Sequence, residues 1–115
     1  MRTIQRRAEE FYKGLEEGTW YCFLSYRGEL VWSNDENKVW CSLLNDTKFD
    51  SKWKWNAEES LWEITLVPNK SCYVDEIRVE VLTKNGLIYE RTISFAPIYI
   101  DKGDDFICQI KFEGW

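Results

Sequence analysis

The side chains able to do chemistry in this 115-residue chain are few. It has four cysteines and no histidine, and its adjacent acidic pairs Glu58-Glu59 and Asp104-Asp105 sit in turn-like stretches. Without His the commonest general base is missing, and Ser-His or Cys-His nucleophile pairs cannot be built. A glycosidase needs two carboxylates opposed across a sugar bond, whereas adjacent acids in turns are solvated. No glycine-rich loop stands ready to cradle a phosphate. The chain therefore reads as a non-enzyme, with no catalytic residues and no cofactor. The turn DKGDD (101–105) could offer Asp101, Asp104 and Asp105 to calcium, but it lacks the EF-hand spacing and reads as a hairpin turn with solvent-facing acids. Cys22, Cys41, Cys72 and Cys108 form no CxxC pair, so no metal site is assigned. Cys22 in WYCFLSY and Cys108 in FICQIKF are mid-strand and read as buried free thiols, which pack as small hydrophobes. A disulfide, its connectivity open, is the alternative.

The other unusual side chains are the seven tryptophans, three of them in KFDSKWKWNAEESLW (48–62). Trp62 alternates with Ile64 and Leu66 and belongs to a core face. Trp20 and Trp40 lie in apolar runs and read likewise. Trp53 and Trp55 alternate with Lys52 and Lys54, so both indoles share one strand face. Either that face packs on the core and the lysines are wet, or the pair stands on an edge strand as a flat platform about 7 Å long. Core packing comes first, ahead of a protein hot spot and then a sugar-stacking surface. Trp32, at a loop margin, and Trp115, at the end of the chain, are further interface candidates. The candidate binding residues are thus Trp53, Trp55, Trp32 and Trp115.

The elements that must position them are mostly strands. Residues 3–17 place Ile4, Ala8, Phe11, Tyr12 and Leu15 at spacings of three and four, which predicts one short amphipathic helix ending near Gly18. Beyond it the hydrophobic period becomes two. Strands are predicted at 19–26, apolar on both faces, and at 30–32, 38–45, 52–56, 60–67, 76–83, 87–95, 98–100 and 106–112. Ala96-Pro97 is expected to break the ladder between the eighth and the seventh of these. Asn85-Gly86 is the strongest hairpin signal. A two-residue loop there would set Glu80 opposite Arg91. A three-residue loop would set Val81 opposite Tyr89 and Ile77 opposite Ile93, and the matched apolar faces favour it. The whole predicts a single mainly β domain over 1–115, an antiparallel β-sandwich or jelly-roll-like fold at 19–112 preceded by one short helix.

Composition agrees with that class. A hydrophobic fraction of 44%, with 17% aromatic, excludes a disordered chain. The net charge of −5 and the lack of a basic stripe beyond Arg2, Arg6 and Arg7 argue against nucleic acid and anionic membranes as partners. No apolar run approaches a membrane span, and the basic start MRTIQRRAEEFYKG has no apolar core of a secretory signal, so synthesis in the cytoplasm is expected.

The segment VDEIRVEVLTKNGLIYERTISFAPIYIDKGDDFICQIKFEG (74–114) resembles the closing strands of small bacteriophage virion proteins of the tail-fibre and head-decoration type. In those, a strand with an NG hairpin precedes a strand running into a proline, and a GD turn leads to the last amphipathic strand. Asn85-Gly86, Phe95-Ala96-Pro97 and Gly103-Asp104 stand in those places, and the helix running into GTWYCFLS (11–25) is similar to that family's opening. The resemblance implies a jelly-roll-like structural subunit that docks to itself or to other virion proteins and has no catalytic residues. Two other classes fit the composition. One is a small acidic inhibitor or counter-defence protein that blocks a basic surface of a host protein. The other is a carbohydrate-binding module using Trp53 and Trp55.

Overall fold

A computed structural model describes residues 11–35 and 47–111. Helix α1 (11–17) leads into seven strands: β1 (Thr19–Tyr26), β2 (Glu29–Ser33), β3 (Phe49–Asn56), β4 (Leu61–Pro68), β5 (Cys72–Leu82), β6 (Ile88–Ile100) and β7 (Phe106–Lys111). They form two antiparallel sheets, one ordered β2-β1-β5-β6 and the other β3-β4-β7. The fold is mainly β, as the alternation of side chains predicts, with sheet faces packed against each other as a sandwich. Residues 3–10 of the predicted helix and the strand predicted at 38–45 lie outside the described residues.

Local chemistry explains the turns. β1 and β2 are joined by Arg27-Gly28, both at positive φ (50° and 78°). That backbone matches the right-handed twist of the flanking strands. In the β5–β6 hairpin, the Thr83 amide donates to the Leu87 carbonyl (2.8 Å) and the Gly86 amide to the Thr83 carbonyl (2.9 Å). Lys84-Asn85-Gly86 is therefore a three-residue loop, with Gly86 at φ 78°. It fixes the apolar register: Val81 faces Tyr89 and Ile77 faces Ile93, while Glu80 faces Glu90 rather than Arg91.

One expectation is corrected here. Ala96-Pro97 does not end the strand, and residues 98–100 are not a separate piece: β6 runs without interruption from Ile88 to Ile100. The ladder instead slips. Ser94 faces Glu76 and Ile98 faces Val74, so Phe95, Ala96 and Pro97 together stand against Asp75. β6 is the outer strand of its sheet. A proline that cannot donate to a ladder is tolerated at such an irregularity on an edge. β5 and β3 also begin earlier than their alternation indicates, at Cys72 and Phe49.

The core lies between the sheets. Cys22, Leu24, Ile77, Val79 and Val81 from one side meet Ile64, Leu66 and Ile110 from the other, all 0% exposed. Burying each of the larger aliphatic side chains contributes about 1.5–3 kcal/mol. β1 is buried on both faces at Cys22, Phe23 and Leu24, as its sequence predicts. α1 closes one end of the sandwich with Leu15, which is fully buried. The Leu15 carbonyl, left open at the helix C-terminus, accepts from the Trp20 indole Nε1 (2.6 Å) and from the Gly18 amide (3.3 Å).

Candidate interaction surface

The tryptophan pair faces inward. Along β3, Lys52 and Lys54 are exposed while Trp53 and Trp55 are half-buried. Register sets Trp53 opposite Ile64 and Trp55 opposite Trp62, both core residues, so the two indoles point at the other sheet. There they join a layer of rings. The Trp62 ring centroid lies 4.4 Å from that of Trp20, 5.4 Å from Trp55 and 6.5 Å from Trp53. The rings are tilted by about 50° or more within this layer, so they form no flat shelf toward solvent. The Trp62 Nε1 hydrogen is buried without a hydrogen-bond partner among the described residues. Trp32 lies in β2 opposite Leu24, not at a loop margin. It is 8% exposed and packs 5.5 Å from Phe49, so little of it is open to a partner. Trp40 and Trp115 lie outside the described residues.

Where α1 meets the β3–β4 turn, the ring layer reaches an open cleft of about 590 Å³, lined by Tyr12, Trp55, Lys13, Glu16, Glu17 and Ser60 among others. Tyr12 and Trp55 stand 5.9 Å apart there, tilted by 38°. Glu17 is 3.1 Å from the Lys84 ammonium and 4.0 Å from that of Lys13. The Lys84 ammonium, hydrogen-bonded to Glu17, holds that carboxyl below its ordinary range, with Lys13 adding to the effect.

At the opposite end of the four-stranded sheet, three tyrosines form a row that no local pattern announces. Tyr26 ends β1, Tyr73 is the second residue of β5 and Tyr99 the last but one of β6. Tyr26 and Tyr73 stack at 5.5 Å and 26°, and Tyr73 and Tyr99 lie 4.9 Å apart. Tyr73 and Tyr99 are directly opposed, but only because the ladder resumes beyond Pro97. Their exposures are 50% and 53%. The Arg27 guanidinium sits 5.0 Å from the Tyr26 ring centre, and the amide of Arg27 donates to Asp75 Oδ2 (3.1 Å), which ties the β1–β2 turn to the irregularity in the ladder. A recess of about 280 Å³ opens beside the row, with Cys72 and Lys70 on its wall. Tyrosine is the side chain that can be half wet and still contribute a large contact area, because its ring is apolar and its hydroxyl is not. The sequence signal that could have found this row is the third tyrosine-bearing strand end, once the slipped register is known.

Between these two ends the outer face of the same sheet is acidic. Glu80 and Glu90 are cross-strand partners, a like-charge arrangement that costs stability. Arg78 offsets part of it, with Nε 3.7 Å from Glu80 while its guanidinium covers the Phe23 ring at 4.4 Å.

The remaining reactive groups are quiet. Cys22, Cys72 and Cys108 are free thiols. Burial pushes Cys108 up to about 11, raises Cys72, and raises Cys22 furthest with Cys108 adding to it. The 101–105 turn is knit through its backbone, with the Asp104 amide donating to the Asp101 carbonyl and the Gly103 amide to the Pro68 carbonyl, each at 3.0 Å. Among the described residues no group of three or more His, Cys, Asp or Glu is placed to hold a metal ion, and no helix is long and apolar enough to cross a membrane. No family model, no curated protein and no solved structure matches this chain.

Proposed function

We propose that this protein is a non-enzymatic structural subunit, of the bacteriophage or prophage virion kind, that works by docking to copies of itself or to other virion proteins. The observation that carries the docking reading is the tyrosine row. Three tyrosine rings in contact, Tyr26 stacked on Tyr73 and Tyr99 tilted against it, with a flanking arginine and two of the rings half exposed, have the composition of an interface hot spot, where Tyr and Arg are enriched. The virion assignment rests on the turn pattern of residues 74–114, with its NG hairpin, its proline-bearing strand and its GD turn. The test is the solution mass of the purified chain by light scattering on a sizing column. A trimer, pentamer or hexamer supports the reading, and a single chain at every concentration counts against it.

The Glu80–Glu90 pair favours a second reading, an acidic inhibitor or counter-defence protein. Like charges held face to face on a solvated sheet are an unfavourable local choice, which a basic host surface would relieve. On that reading, capture of one defined host protein weakens steeply with salt and with the variant Glu80→Gln/Glu90→Gln. Binding indifferent to both would remove it.

A further inference from the structure

The cleft between α1 and the β3–β4 turn has a composition that selects its ligand. Its volume, about 590 Å³, falls in the usual range for small-molecule sites, roughly 300–1,000 Å³. Its aromatic part is Tyr12 and Trp55, 5.9 Å apart. Its polar part carries both signs. Glu17 is already satisfied by Lys84 and Lys13, at 3.1 and 4.0 Å, and Glu16 and Ser60 line the same space. With Lys84 included, the two carboxylates are balanced by two ammonium groups, so the rim has no surplus charge to reward an ionic ligand. A wholly apolar ligand would strip water from the three charged groups that line the cleft, Lys13, Glu16 and Glu17, and leave them worse satisfied. What fits is a neutral ring with one apolar face and an edge of hydroxyls, which can lie on an indole and both donate to Glu16 and accept from Lys13.

We propose that this cleft is a binding site for a neutral pyranose sugar, with Trp55 and Tyr12, tilted by 38° to each other, as its aromatic wall and Glu16 and Lys13 as its hydroxyl partners. The site differs from a Trp53–Trp55 platform: Trp53 is turned to Ile64 in the interior, and the second ring comes from the helix. It also lies at the far end of the molecule from the tyrosine row, since Thr19 faces Leu82 at the helix end and Tyr73 stands at the start of β5. It is thus independent of the docking reading.

The experiment is saturation-transfer NMR on the intact chain, with neutral di- and trisaccharides of glucose, galactose, mannose and N-acetylglucosamine at millimolar concentration, alongside glucuronic acid and glucosamine. At least one neutral sugar is expected to receive magnetisation from aromatic protons. Glu16→Ala and Lys13→Ala, both at exposed positions, should each weaken its binding about tenfold, the loss of one hydrogen bond to a charged group, with thermal unfolding unchanged. Trp55→Ala is avoided because that ring supports Trp62. Three results overturn the proposal: no neutral sugar binds, binding survives both substitutions, or a charged sugar binds at least tenfold better than its neutral counterpart.

Discussion

The molecule holds two concentrations of aromatic side chains, and they are used in opposite ways. At the helix end, Trp20, Trp53, Trp55 and Trp62 are packed between the sheets with Tyr12 at their margin. At the other end, Tyr26, Tyr73 and Tyr99 touch in a row across three strands, the first pair stacked and the second tilted, with two of them half in water. Tryptophan has the larger apolar surface and only one polar atom, so burying it contributes more and leaving it wet costs more. Tyrosine carries a hydroxyl that water satisfies. The Trp-rich end should therefore govern stability, and the Tyr row should govern association.

The largest effect that would test this contrast is Trp62→Ala. Trp62 is 7% exposed and touches three other indoles. Its truncation should cost about 3–5 kcal/mol, read as a lowered denaturant midpoint with little change in slope. A cost below that of an ordinary surface substitution would mean the layer does not support the fold.

How far the two regions were legible in the sequence follows from how they are built. The inward face of β3 and β4 is a local matter: side chains alternate, so Trp53 and Trp55 share a face with each other and Trp62 shares one with Ile64 and Leu66. The hairpin register was legible for the same reason, because only one loop length matches Val81 to Tyr89. The Tyr row was not legible. Tyr26, Tyr73 and Tyr99 are distant in the chain, and Tyr73 meets Tyr99 only through a slip opposite Phe95-Ala96-Pro97 that alternation cannot foresee. Pro97 signals an interruption, and an edge strand absorbs it without ending. Trp32 misled because its neighbours, Ser33 to Asn37, look like a loop, whereas β2 carries it under the core. The cleft, too, needed the helix and the β3–β4 turn brought together.

A smaller effect comes from the junction that fastens the helix to the sheets. A Cβ added at Gly18 would stand 2.8 Å from the Val81 side chain and 3.1 Å from the Leu82 carbonyl. Gly18→Ala should therefore cost about 1–3 kcal/mol, measured by urea unfolding. Loss of that size would show that α1 is fixed rather than loosely laid on the Trp layer, and a neutral outcome would show the reverse.

The buried thiols give a pH test of the same interior. Burial raises Cys108 from 9.0 to about 11 in the folded chain. Below pH 9 both states keep the proton and the contribution is fully present. As pH rises from 9 toward 11 the unfolded chain ionises first, so stability falls. Wild type should lose stability across that window more steeply than Cys108→Ala, in paired urea melts. Parallel curves would place Cys108 in contact with water.

The smallest effect on stability is predicted at the tyrosine row. The double variant Tyr73→Ser/Tyr99→Ser removes two half-exposed rings and should change unfolding by about 1 kcal/mol or less, in line with surface positions. Its effect on association should be large, because hot-spot rings carry most of an interface's energy.

The most direct test is therefore the mass of wild type and of this double variant by light scattering on a sizing column. The docking account predicts an oligomer for wild type and a folded single chain for the variant. A wild-type chain that stays single at every concentration, or an oligomer the variant leaves intact, would contradict it.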